Sequence, residues 1–139
     1  MQMTVETIQV NVPVAILGVE GELDGSNFKD VIAKAEEIYK AGTPNVLMDL
    51  SNLRFMSSAG LVSLHSIALI LRGEKPHDTE GGWNVFHAIG RERDISQGKQ
   101  AHFKLLNPQP RILTNLQKVG MDELFEIHTD RDMALASFA

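Results

Sequence analysis

The stretch Asp49-Leu50-Ser51-Asn52-Leu53-Arg54-Phe55-Met56-Ser57-Ser58-Ala59-Gly60-Leu61 decides how this chain is read. It takes over from the short, continuous apolar run of residues 45–50, which follows Pro44 and has the character of a central strand covered on at least one face. It leads into residues 59–71, where Leu61, Val62, Leu64, Ile67, Ala68, Leu69, Ile70 and Leu71 occupy most of a helix circumference. A helix that is apolar nearly all round is buried against a sheet and a neighbour. Strand, turn and buried helix therefore meet at Ser57 and Ser58, either of which can cap the helix. The first backbone N–H groups of such a helix have no partner within it, so this point accepts an anion. The doublet alone says no more, because serine is also a common cap with no further role.

Upstream, residues 4–10 and 14–19 are β-type runs around the turn Asn11-Val12-Pro13, as in a hairpin. Phe28, Val31, Ile32, Ala35, Ile38 and Tyr39 then recur at helical spacing, with Asp24 or Ser26 as cap and Gly42 just past the end. Downstream, periodicity is lost over about residues 73–100, a long insertion that holds Gly81-Gly82 and the one tryptophan, Trp83, beside Phe86. Order resumes with a strand at 101–106. Pro108 and Pro110 open a helix whose apolar positions Ile112, Leu113, Leu116 and Val119 end at Gly120. A short strand is expected at 124–127, then a last helix capped by Thr129, with Asp132 three residues on as in a capping box. The order β-β-α-β-α-β-α-β-α predicts an α/β fold with a mixed, mostly parallel sheet and right-handed crossovers.

Composition narrows the functional classes. A chain of 139 residues suits one domain, spanning 1–139, with one core. It has no cysteine, which excludes thiol catalysis, disulfide scaffolds, zinc ribbons and iron–sulfur sites. A net charge of −5 argues against a general nucleic-acid binder. The longest apolar stretch, 61–71, is far short of the roughly 20 residues that cross a bilayer, so no membrane insertion is expected. The opening MQMTVETIQV lacks a basic region leading into an apolar block, which makes the cytoplasm the expected location. His65, His77, His87, His102 and His128 show no metal-ligand spacing, and no metal or cofactor is expected. Ser26-Asn27-Phe28-Lys29 fits Ser-x-x-Lys without the companion Lys-Thr-Gly, and Met56 stands where a hydrolase elbow before Ser58 requires glycine. A serine nucleophile at Ser58 would need a base from a spatial neighbour such as His65 or His102, so a non-enzymatic role is expected.

The deciding stretch resembles the sulphate transporter and anti-sigma factor antagonist (STAS) family, whose motif reads Asp-Leu-Ser, five residues, then Asp-Ser-Ser/Thr-Gly-Leu. Asp49-Leu50-Ser51, Phe55-Met56, Ser58, Gly60 and Leu61 fall in register with it. Glu20-Gly21-Glu22-Leu23-Asp24 is similar to the family's Gly-x-Leu-Asp before the first helix, and Leu105-Leu106-Asn107-Pro108, Val119-Gly120-Met121 and Leu124-Phe125 are similar to its last strand, helix and strand. The resemblance covers nearly the whole chain outside the insertion, and implies helices packed chiefly on one face of the sheet.

It also implies that Ser58 is a phosphoacceptor, with Ser57 as the alternative. The family's aspartate before the acceptor is Ser57 here, and the following Ser/Thr is Ala59. Asp24, Gly25, Ser26, Ser57, Ala59 and Gly60 are expected on a partner-binding surface, with Asn107 on the same edge. The implied role is an anti-sigma factor antagonist that binds an anti-sigma factor kinase of the histidine-kinase-like ATPase fold. Phosphorylation by that partner would switch it off, and a PP2C-type phosphatase would restore the serine. ATP and magnesium would belong to the kinase. The alternative is an unphosphorylated STAS module serving as a binding subunit of a transport or signalling complex.

Overall fold

A computed structural model describes residues 1–74 and 99–139. Strand β1 (Gln2–Gln9) pairs antiparallel with β2 (Pro13–Leu23), joined at the expected turn. Helix α1 (Phe28–Lys40) leads to β3 (Val46–Asp49), and a turn at 50–52 leads on to β4 (Leu53–Met56). Helix α2 (Ser58–Leu71), strand β5 (Phe103–Leu106), helix α3 (Pro110–Lys118), a 3-10 turn at Met121–Glu123, strand β6 (Ile127–His128) and helix α4 (Arg131–Ala136) follow. The sheet order is β1-β2-β3-β5-β6, all pairs but the first parallel, with β4 paired in parallel to the far end of β2. The sheet steps one way from β2 to β6, so right-handed crossovers put α1, α2 and α3 on one face.

The central strands are largely apolar because both of their faces are covered. Ala15, Leu17 and Val19 of β2, Val46 and Met48 of β3, and Phe103 and Leu105 of β5 pack beneath the three long helices. The alternate residues Val14, Ile16, Leu47 and Leu106 point the other way, onto Ala134 and Leu135 of α4. Fully burying side chains of this size contributes roughly 1.5–3 kcal/mol each.

Four expectations are corrected. Residues 53–56, read as turn, form β4, because β2 continues past residue 19 and supplies the pairing; Arg54 and Phe55 are exposed, so no alternation marks the strand. Leu124 and Phe125 are not in a strand. Both are buried below α3, with Phe125 edge-on to Phe103 at 5.4 Å, and β6 begins two residues later at Ile127. The last helix is capped by Asp130, whose carboxylate accepts the Met133 N–H at 3.0 Å, not by Thr129; α1 starts after Asn27, not under a cap from Asp24 or Ser26. Trp83, Phe86 and Gly81-Gly82 lie outside the described residues. Of the expected insertion only its ends are described, Gly73 closing α2 with φ +82° and Gln100 donating its N–H to the Leu124 carbonyl.

The face under α4 carries one charge that the sequence pattern does not announce. Lys104, at an inward position of β5, is 3% exposed. Its ammonium donates to the Ser137 carbonyl (3.0 Å) and hydroxyl (2.9 Å), pairs with Glu126 Oε2 at 2.9 Å and lies 4.6 Å from the centre of the Phe138 ring. A buried cation is tolerable only when so fully partnered, and these partners pin the chain after α4 to the sheet. Burial raises the Glu126 pKa, but the hydrogen bond and charge of Lys104, joined by those of His128, outweigh it and hold the carboxyl below its ordinary 4.5. A carboxyl depressed in the folded state stabilises fully above its unfolded pKa and loses that contribution as pH falls through the folded value. Urea denaturation between about pH 3 and pH 6 should therefore show acid destabilisation that is smaller in Lys104→Met than in the wild type.

Candidate functional site

Ser57 and Ser58 are set by one tight junction. Leu23, the last residue of β2, stands opposite Met56 in the β2–β4 ladder, and its carbonyl accepts the Ser57 N–H at 2.9 Å. Helix α2 begins immediately, its first turn pressed onto the same strand end. A Cβ added to Gly60 would lie 2.6 Å from Met56 Cγ and 3.0 Å from the Leu23 carbonyl oxygen. Only glycine lets the helix come this close, which is the physical reason for Gly60 in the motif.

The two serines differ in what this junction does to them. Ser57 is the N-cap: half-buried, extended in backbone, its Oγ accepting the Gly60 N–H at 3.3 Å. Ser58 is the first helical residue and is exposed. Ala59 is half-buried, and Gly60 is buried. No acidic residue occupies the first turn of α2, so nothing on the helix itself opposes a negative charge there.

The β2–α1 turn lies alongside, since Asp24 follows the Leu23 that bonds Ser57. The Asp24 carboxylate accepts the Ser26 hydroxyl at 2.5 Å and the Ser26 N–H at 2.9 Å, and these two bonds lower its pKa from the ordinary value. Gly25 and Ser26 are exposed. Asn107, by contrast, is tied into a separate network: at φ +52° after β5, it donates to the Ser51 hydroxyl at 3.2 Å, and Ser51 donates to Asp49 at 2.6 Å. It fixes the β3–β4 turn and has no bond to Ser57 or Ser58.

The sequence reading missed the other wall of the site. Ser57 and Ser58, with Phe55, Met56 and Leu61, line a groove of about 420 Å³ closed on its far side by Asn115, Lys118 and Val119 around the end of α3. Phe55 is 39% exposed, a large aromatic left at the rim. The exposed end of α3 carried no signal linking it to Ser58, because α3 reaches the site only through its packing against β4. The lining includes no histidine, aspartate or glutamate. His65, buried within α2, and His102, whose Nδ1 is 2.8 Å from Asn45 Oδ1 before β3, stand elsewhere. Among the described residues no cluster could hold a metal ion, and no helix is long and apolar enough to cross a membrane.

The different duties of the three motif residues should separate in urea denaturation. Ser57→Ala removes the cap and should cost about 1 kcal/mol. Ser58→Ala should stay within about 0.5 kcal/mol of wild type. Gly60→Ala, which overpacks against backbone, should cost roughly 1–3 kcal/mol.

Residues 5–73 match the family model of the STAS domain. Similar solved structures include a candidate anti-sigma factor antagonist from Thermotoga maritima, with a TM-score of 0.66 at 17% identity over 98% of this chain and 93% of that one. An anti-sigma factor antagonist from Mycobacterium paratuberculosis gives a TM-score of 0.60 at 18% identity, covering 99% and 94% of the two chains. The Bacillus cell fate determinant SpoIIAA in its phosphorylated form gives 0.52 at 16% identity, covering 98% and 100%. At such identities the likeness is one of fold. No curated protein matches the sequence. The motif in register around Ser58, the family match and the shared fold together identify residues 5–73 as STAS domain sequence and the described chain as a STAS-type fold.

Proposed function

We propose that this chain is an anti-sigma factor antagonist, a non-enzymatic binding protein of the cytoplasm that presents Ser58 to an anti-sigma factor kinase and is switched off when that serine is phosphorylated. The observation that carries this reading is the exposed Ser58 side chain on the first residue of a buried helix, in register with the family's acceptor position. Ser57 is the poorer acceptor, because it is half-buried and its oxygen already caps α2. The fold likeness to SpoIIAA, solved in a phosphorylated form, supports the same direction.

The physics of the switch follows from the position. A phosphoserine brings about −1.5 to −2 charge. At the start of α2 that charge is favourable by roughly 0.3–1 kcal/mol, so the modified protein keeps its fold. Docked flat under a partner, the same charge is buried without compensation at a cost of roughly 3–5 kcal/mol, or about two to four decades of affinity. Modification therefore removes binding and spares structure. The turn at Asp24, Gly25 and Ser26, brought beside Ser57 by the β2–β4 ladder, extends the same docking surface together with the half-buried Ala59. Gly60, expected on that surface, is buried against Met56 and the Leu23 carbonyl and serves the junction beneath it. The kinase, of the histidine-kinase-like ATPase fold, brings ATP and magnesium, and a PP2C-type phosphatase reverses the step.

Incubation with such a kinase and ATP should add one phosphate, located at Ser58 by mass spectrometry and absent from Ser58→Ala. Ser58→Asp should bind the kinase roughly a hundredfold or more weakly than Ser58→Ala by calorimetry, with unchanged circular dichroism. Equal affinities for the two variants would refute the switch. Tight kinase binding with no phosphate transferred would leave an unmodified binding module instead.

A further inference from the structure

The groove beside Ser58 has two walls of different chemistry. On the β4–α2 side stand Phe55, Ser58 and Leu61, and across from them stands Lys118, the one charged residue of the lining. Lys118 is exposed at the last position of α3 and has no ion-pair partner among the described residues. The other charged groups on the surrounding elements are Glu20 and Glu22 on β2, the latter opposite Phe55 in the ladder, Arg54 on β4, Arg111 on α3, Asp122 and Glu123 in the turn after it, and Asp24 beyond β2; none of them lines the groove. A cation left unpaired on an otherwise uncharged groove is placed to meet an anion brought there, and the serine opposite is where the anion would be attached.

We infer that Lys118 is the counter-cation of a phosphate carried on Ser58, so that modification joins the two walls of the groove and closes it. The inference rests on the reading of Ser58 as a phosphoacceptor. It deepens that reading, because the partner is then refused twice: by the charge, and by the loss of the groove between Phe55 and Val119 into which it would reach. The lysine is a flexible point donor that suits one phosphate oxygen at a time. It acts on the phosphate without entering the transfer reaction, and is a positioning residue.

The test separates this inference from the reading beneath it by installing phosphoserine at position 58 during translation, which needs no kinase. The second ionisation of a free phosphoserine lies near about pH 6. Followed by phosphorus NMR, the phosphate of the otherwise unaltered protein should titrate about half a unit lower than that of Lys118→Gln, because a nearby cation favours the dianion. Lys118→Arg should restore the low midpoint. Lys40→Gln, which deletes an exposed cation at the far end of α1, should leave it in place. In the protein with no second substitution, the Lys118 ε-methylene resonance should shift along the phosphate titration. Equal midpoints with and without the Lys118→Gln substitution, or the same shift from Lys40→Gln, would overturn the assignment. A kinase that ignores Ser58 would overturn the function above and leave this result standing.

Discussion

Much of this molecule depends on how closely the first turn of α2 approaches the end of β2. Gly60 lies where a Cβ would be 3.0 Å from the Leu23 carbonyl oxygen, and that same carbonyl accepts the Ser57 N–H. A strand end, a neighbouring strand and a helix start are thereby locked into one unit. Because the helix is buried along most of its length behind this contact, its first residue has a fixed direction outward. The exposure of Ser58 is thus a consequence of packing: the side chain reaches solvent from a buried scaffold.

The parallel sheet sets where everything else falls. Strands β2, β3, β5 and β6 run in one sense, so Asp24, the Asp49–Ser51 turn, Asn107 and the start of α2 gather at their carboxyl ends. Helix α2 then runs back toward the other end, roughly 20 Å for its length at about 1.5 Å per residue. Its close at Gly73, and the return of the chain before β5, are accordingly at the pole opposite Ser58. Fixation also differs between the carboxyl end of the sheet and its second face. Asn107, Ser51 and Asp49 stiffen the turn that precedes β4, whereas the second face of the sheet is held by a six-residue helix and the fully partnered ammonium of Lys104. A single buried cation, held by Ser137, Glu126 and Phe138, does there what a longer apolar helix does elsewhere.

The sequence by itself determined the elements whose pattern is local. Val46–Asp49 is unmistakable as a covered strand, α2 as a helix buried nearly all round, and Pro110 as the first residue of α3, because each signal lies within one pleat or one turn. The motif in register also singles out Ser58 from sequence alone. Tertiary structure alone decided the rest. β4 exists because β2 is long enough to pair with it, and Arg54 and Phe55 show no alternation by which the strand could be seen. Leu124 and Phe125 looked like strand residues because burial in a core and burial in a sheet require the same side chains. The buried state of Lys104, the division of labour between Ser57 and Ser58, and the meeting of Ser58 and Lys118 in one groove all come from segments distant in the chain. Such meetings are fixed by hydrogen-bond geometry and close packing between elements, and neither leaves a periodic trace in the residues of one element.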